Sequence, residues 1–142
     1  GVSIVRFAIE NQNIKAAVSR CGLVNGPTGN TEILSMLPQM TLDSWATRIG
    51  ANSMDIDDVS AKSTPHSLVG SGLLDGSILT NVPLLAINTH QDPVAPPADM
   101  LATARASATG QVAFFGASGH CSNEPAASEF IANFILSRIT KE

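Results

Sequence analysis

The clearest hydrophobic pattern lies in the last third of the chain. Two short apolar runs, LLAIN at 84–88 and QVAFF at 111–115, are each followed by a loop rich in Gly or Pro. Such runs, bounded by turn residues, are typical of strands buried on both faces. We predict a helix after each loop, from about Pro97 to Ala106 and from near Pro125. The order strand, helix, strand, helix predicts a parallel sheet flanked by helices, an α/β fold.

The rest of the chain divides into two further regions. The pattern of residues 1–25 predicts a sharp turn (an elbow) and a helix, followed by a strand at Ile14–Ser19. Residues 26–80 carry turn residues and weak helical patterns, which predict a small helical cap inserted before the last sheet region at 81–142. No internal repeat is visible.

Within the predicted cap, several residues allow two interpretations. Asp55, Asp57 and Asp58 suggest a polar loop, because they lack the ligand pattern of a calcium loop. Trp45, Met36 and Met40 could shape an apolar pocket under the cap, but core packing is the favoured interpretation.

Composition narrows the function classes. The net charge is −4, from 12 acids and 8 bases, and no basic run is present, so a nucleic-acid partner is not expected. No apolar stretch approaches the ~20 residues that a membrane span needs, and no secretory leader is visible. No glycine motif of a phosphate-binding loop is present, so we expect no cofactor.

The two cysteines, Cys21 and Cys121, lack the spacing of a zinc motif. We therefore expect no bound metal and interpret them as free buried thiols in a reducing compartment. This interpretation predicts a cytoplasmic protein.

Two polar loops hold residues of catalytic type. Asp92 lies four residues beyond the strand that ends at Asn88, and His120 lies five residues beyond the run that ends at Phe115. The carboxyl ends of parallel strands meet at one edge of a sheet, where sites form. A carboxylate that orients an imidazole is what a general base needs, so Asp92 and His120 are the candidate catalytic pair.

These segments resemble a known family. VPLLAINTHQDPVAPPADM, QVAFFGASGHCS and SLVGSGLLDG are similar to the C-terminal part of α/β-hydrolases, and most of all to the FrsA-like esterase branch. That branch includes pseudooxynicotine hydrolases and fungal polyketide-shortening hydrolases. The resemblance implies a partial α/β-hydrolase fold, the C-terminal half of the sheet with a helical cap. It also implies a triad in which Asp92 is the acid and His120 the histidine, in the chain order usual for this fold.

The resemblance places Ser3 at the nucleophile of a G-x-S-x-G elbow, with the backbone N–H of Ile4 as one oxyanion donor. Val5 stands where the second glycine of that elbow is expected. The strands that normally precede the elbow and the loop that gives the second oxyanion donor are not in this sequence. A second chain that supplies this half, or a homodimer, is therefore expected as the partner.

The function expected from these features is hydrolysis of an ester, or of a carbon–carbon bond beside a ketone, in a small molecule. Two alternatives stay open. The first is a non-catalytic binding or assembly module with a decayed site. The second is a hydrolase-fold enzyme that performs a non-hydrolytic step such as cyclisation.

Overall fold

A computed structural model describes residues 2–140 of the chain. The elements alternate between strands and helices along the chain. In order they are α1 (Val2–Glu10), β1 (Ala17–Arg20), α2 (Thr31–Ser35), α3 (Gln39–Ile49), α4 (Ile56–Ser63), β2 (Leu84–Asn88), α5 (Pro97–Arg105), β3 (Gln111–Phe114) and α6 (Pro125–Ile139). Two 3₁₀ turns, Pro27–Gly29 and Thr64–His66, flank the cap helices. Within the described residues, no helix is both long and apolar enough to cross a membrane.

The three strands form one parallel sheet in the order β1-β2-β3. Every residue of the central strand β2 is buried, as its uninterrupted apolar run predicts. The α/β class predicted from the sequence is confirmed. The first strand begins later than predicted, at Ala17 rather than Ile14, because Ala17 is the residue that pairs with Leu84 at the start of β2.

Helices cover both faces of the sheet, because successive residues of β2 point to opposite sides. Leu84 packs with buried residues of α1, and Ala86 packs with Met100 of α5. Leu85 and Ile87 pack with Phe134 of α6 on the other face. The arrangement is a three-layer α/β/α sandwich, and its carboxyl-end loops all open at one edge.

The cap helices α2 to α4 have a small core of their own, formed by Leu34, Leu42, Ala46 and Val59. The indole N–H of Trp45 donates to Ser63 Oγ at 2.7 Å, which joins α3 to α4. Core packing was wrong for Met36 and Met40, whose side chains are exposed.

The predicted polar loop at Asp55–Asp58 was also wrong, because α4 begins there. The Asp55 side chain accepts hydrogen bonds from the backbone N–H groups of Asp57 and Asp58 and caps the helix. Acidic residues in a first turn also interact favourably with the helix dipole. A cluster of aspartates thus starts a helix here rather than forming a loop.

We expect Gly110→Ala to destabilise the fold by about 3 kcal/mol, since overpacking that must move backbone is at the upper end of such effects. A Cβ at Gly110 lies 1.9 Å from the carbonyl oxygen of Ala104, so α5 or β3 has to shift. Gly72→Ala is the control, because that Cβ meets nothing within 4 Å and only the positive φ of +77° opposes it, which costs about 1 kcal/mol. Urea unfolding of both variants measures the difference. Equal costs contradict the prediction.

Candidate active site

The loops that follow β2 and β3 run side by side at the carboxyl edge of the sheet. Thr89 Oγ1 donates to the carbonyl of Gly119 at 2.6 Å, and the N–H of His90 donates to the carbonyl of Gly116 at 3.2 Å. A further parallel bridge pairs Gln91 with Ser118. The two loops therefore hold each other as the strands beneath them do.

Asp92 lies at the centre of this pair of loops. Its Oδ1 accepts hydrogen bonds from the N–H groups of Val94 (2.8 Å) and Ala95 (2.9 Å), which closes the turn after β2. Its Oδ2 accepts a bond from the N–H of Cys121 at 3.2 Å, across the gap to the second loop. The carboxylate is fully buried, so its orientation is set by donors from both loops.

His120 is the fourth group bound to this carboxylate. Its Nδ1 lies 2.9 Å from Oδ2 and 3.1 Å from Oδ1 of Asp92. The His120 side chain is 46% exposed, and its hydrogen bonds to Asp92 use Nδ1 and leave Nε2 unused. A carboxylate on Nδ1 favours the tautomer with the proton on that atom, which leaves Nε2 as a base.

The environment of Asp92 keeps it ionised. Burial by itself raises the pKa of Asp92, but hydrogen bonds from the backbone N–H groups of Ala95, Val94 and Cys121 outweigh burial, so the pKa lies below its ordinary value. The group beside His120 is therefore a carboxylate at neutral pH.

Cys21 and Cys121 are joined by a disulfide, so the prediction of free thiols was wrong. The two residues are 100 apart in sequence, but their Cα atoms lie 5.1 Å apart because the loops after β1 and β3 open at the same sheet edge. Both have left-handed backbone, with φ of 44° and 60°. Disulfides persist in oxidising compartments, so the argument for a reducing, cytoplasmic location no longer holds.

The structure does not join Ser3 to the Asp92–His120 pair. Ser3 lies in the first turn of α1, is exposed, and lines a cleft of about 530 Å³ with Arg6, Phe7 and His66. No residue of that cleft belongs to the cleft around His120. The backbone of Ser3 is helical, whereas the serine of a nucleophile elbow lies in a strained strand-to-helix turn.

The remaining elements of the predicted elbow are only partly visible. Ile4 lies in the first turn of α1, where backbone N–H groups have no intrahelical acceptor and can donate to an anion. Gly1, the first residue of the predicted elbow, lies outside the described residues. The roles of Ser3 and Ile4 therefore stay predictions.

An apolar cavity of about 370 Å³ lies between the cap and the sheet edge. Leu34, Leu37 and Trp45 of the cap line one side of it. Val2, beside Ser3, and Val94, in the turn that Asp92 closes, line the other. Trp45 therefore lines the pocket and also packs against the core of the cap, which was its favoured interpretation.

Asp99 has a positioning role that the sequence did not signal. This buried carboxylate on α5 accepts bonds from the N–H groups of Val24, Asn25 and Gly26 at 2.7 to 2.9 Å. Burial raises the pKa of Asp99 despite these three bonds. The acceptor and its donors lie more than 70 residues apart, so no local pattern links them.

A family model described as Esterase FrsA-like matches residues 1–137 of the chain. The chain belongs to the FrsA-like esterase family. The resemblance seen in the sequence, and with it membership of the α/β-hydrolase superfamily, is confirmed.

Several FrsA-like relatives are bacterial. The chain is 34% identical over 112 residues to an Esterase FrsA of Vibrio parahaemolyticus, and 32% identical over 112 residues to one of Vibrio cholerae. Each match covers 78% of this chain but 27% of the relative, so the chain spans about a quarter of their length.

One solved structure with a similar fold is that of AbyA5, with a TM-score of 0.54. The match covers 95% of this chain and 38% of AbyA5 at 16% sequence identity. At that identity the likeness concerns the fold alone, and it agrees with a partial hydrolase-type fold.

The lowered pKa of Asp92 predicts an acid-dependent stability difference between the wild type and Asp92→Asn. A carboxylate whose folded pKa is depressed stabilises the fold above its unfolded pKa of about 3.9, and this contribution is lost as the pH falls through the folded pKa. We expect Asp92→Asn to be less stable by about 2 kcal/mol at pH 6, with the gap closing below about pH 4.

Urea unfolding of both proteins between pH 6 and pH 3 measures this gap. Glu129→Gln, at an exposed position on α6, is the control and should change stability by less than about 0.5 kcal/mol. A gap that stays constant or widens on acidification contradicts the assignment.

Proposed function

We propose that this chain carries the acid–base pair of an ester hydrolase, with His120 as the general base and then acid and Asp92 as the orienting carboxylate. The observation that supports this most is the buried Asp92 carboxylate held on Nδ1 of a solvent-open His120. This pair can accept a proton on Nε2 and stabilise the imidazolium that forms. Membership of the FrsA-like family supports a hydrolase rather than another class of enzyme with a carboxylate–histidine pair.

Ser3 is the proposed nucleophile of a serine-type mechanism. His120 would remove its proton as Oγ attacks the ester carbonyl, and the N–H of Ile4 would donate to the oxyanion. Ser3 and His120 line different clefts, so this role requires a hydrogen bond between Ser3 Oγ and His120 Nε2 that forms in the complete assembly.

The proposed substrate is a small ester with an apolar acyl or aromatic group. The 370 Å³ cavity connects the first turn of α1 with the turn of Asp92, since Val2 and Val94 both line it. Trp45 and the leucines of the cap give it apolar walls. The same site admits a ketone whose adjacent carbon–carbon bond is cleaved, and product analysis separates the two reactions.

A second candidate is a binding or assembly module that performs no hydrolysis. The observation that favours it is the helical, exposed Ser3, which has no hydrogen bond to His120 among residues 2–140. In that case the apolar cavity binds a ligand without turnover.

We expect His120→Ala to lower kcat/KM for an activated ester by at least about 10³-fold, and Asp92→Asn by at least about 10²-fold, since triad members act as a unit. His90→Ala is the matched control, because His90 is an exposed histidine of the adjacent loop that stacks on Phe114. The measurement uses the active assembly with any partner subunit present.

A loss of less than about tenfold in either variant sinks the acid–base assignment. In parallel, a fluorophosphonate probe reports the nucleophile by peptide mass spectrometry. Labelling of Ser3 that disappears in His120→Ala supports the serine mechanism. The absence of any labelling in the assembly supports the binding module.

The chain is also proposed to work with a partner, either a second chain or a second copy. β1 is at the edge of the described sheet, and its N–H groups at Ala17 and Cys21 point toward β2. The groups of Val18 and Arg20 therefore face outward, where another strand can pair. Native mass spectrometry should show a complex heavier than the 14.7 kDa chain. An active sample that contains only the monomer contradicts the proposal of a partner.

A further inference from the structure

The disulfide and the candidate catalytic histidine form one cluster of metal-binding donors. The ligand atoms of Cys21, His120 and Cys121 all lie within 4.8 Å of one another. Two cysteine sulfurs and an imidazole are the donor set that zinc prefers, and three protein ligands with an open fourth position occur in zinc sites of known enzymes. The sequence hides this set, because one ligand comes from the loop after β1 and two come from the loop after β3.

A tetrahedral zinc site needs ligand atoms that lie close together but are not bonded to each other. With Zn–S of about 2.3 Å and Zn–N of about 2.0 Å, neighbouring ligand atoms lie roughly 3.5 to 3.8 Å apart. In the disulfide state the two sulfurs are bonded to each other, so they cannot both bind a metal. Once reduced, they can separate by rotation about their Cα–Cβ bonds, since the Cα atoms are 5.1 Å apart.

The histidine is already oriented for a metal. Asp92 occupies Nδ1, which leaves Nε2 free, and a carboxylate on the other nitrogen is the usual outer partner of a metal-bound histidine. The exposed ring gives an ion a path from solvent. The sulfurs belong to half-buried residues, which limits the loss of metal to water.

We propose that the reduced protein binds one zinc ion through Cys21, Cys121 and Nε2 of His120, with water as the fourth ligand. A dithiol supplies the two electrons and two protons that break the S–S bond, and is itself oxidised to a disulfide. The two thiols then lose their protons to solvent as zinc binds.

Zinc binding and catalysis compete for one atom. The proposed hydrolase needs the lone pair of Nε2 as a base, and zinc occupies that lone pair. The oxidised protein is then active whether zinc is present or not, whereas the reduced protein is inhibited by zinc. This consequence rests on the proposed function, but the metal site itself does not.

The test uses the complete protein, reduced with a dithiol and desalted without oxygen. Zinc is titrated against a chromophoric chelator, and cobalt(II) is used as a probe for thiolate-to-metal charge-transfer absorption. We expect one zinc per chain when reduced and none when oxidised. Cys121→Ser should weaken binding at least about 100-fold and His120→Ala about 10- to 100-fold. His90→Ala, at an exposed histidine of the neighbouring loop, should leave binding unchanged.

Circular dichroism of each sample reports whether the fold survives reduction and substitution. The proposal is overturned by a reduced protein that unfolds, by the absence of thiolate–cobalt bands, or by His120→Ala binding zinc as tightly as the wild type. The activity measurement is separate. If the reduced protein binds zinc and hydrolysis is unchanged, the metal site is supported and the proposed role of His120 in hydrolysis is contradicted. If no sample hydrolyses the ester, the zinc and cobalt measurements alone test the metal site.

Discussion

The buried carboxylate of Asp92 is the group on which the arrangement of the site depends. An ionised carboxylate without partners in a protein interior costs several kcal/mol, so each of its donors is held in place by the need to satisfy it. Those donors come from its own turn and from the loop after β3. The charge bonded to His120 therefore also fixes the distance between the two loops, and the geometry of the candidate site and the local stability have the same origin.

The disulfide connects the end of the third strand of the sheet, β1, to the two loops that Asp92 joins. Asp92 joins the loops after β2 and β3, and Cys21–Cys121 joins the loop after β3 to the end of β1. A cross-link that closes about 100 residues removes on the order of 4 to 5 kcal/mol of unfolded-chain entropy in the loop-closure treatment. This gain offsets the left-handed backbone of both cysteines, which costs about 1 to 3 kcal/mol per residue. The N–H of Cys121 also donates to Asp92, so the disulfide and the Asp92–His120 pair meet in the same loop.

The cap is held over the same sheet edge by buried polar contacts and by two leucines that follow its helices, Leu68 and Leu74, which pack in the core with Leu84. Asp99 fixes the segment that leads into the cap through three backbone N–H groups, and Ser67 Oγ donates to the carbonyl of Val24 at 3.0 Å. The small core formed by the cap helices α2 to α4 is a separate cluster. The apolar cavity is lined both by cap residues such as Leu34 and Trp45 and by Leu23, which precedes the segment that Asp99 holds.

Local patterns in the sequence determined the strands, the α/β class and the pairing of Asp92 with His120. An apolar run between turn residues predicts a buried strand, and the ends of neighbouring parallel strands must meet, so two loop residues could be placed together without coordinates. Family resemblance added the names of the roles, including that of Ser3. Only the tertiary structure decided that Cys21 bonds to Cys121, that Asp99 holds the loop at Val24–Gly26, and that Ser3 lies in a cleft apart from His120. These relations join residues about 70 to 120 positions apart, and they follow from how helices and loops pack on the sheet, which no periodicity along the chain records.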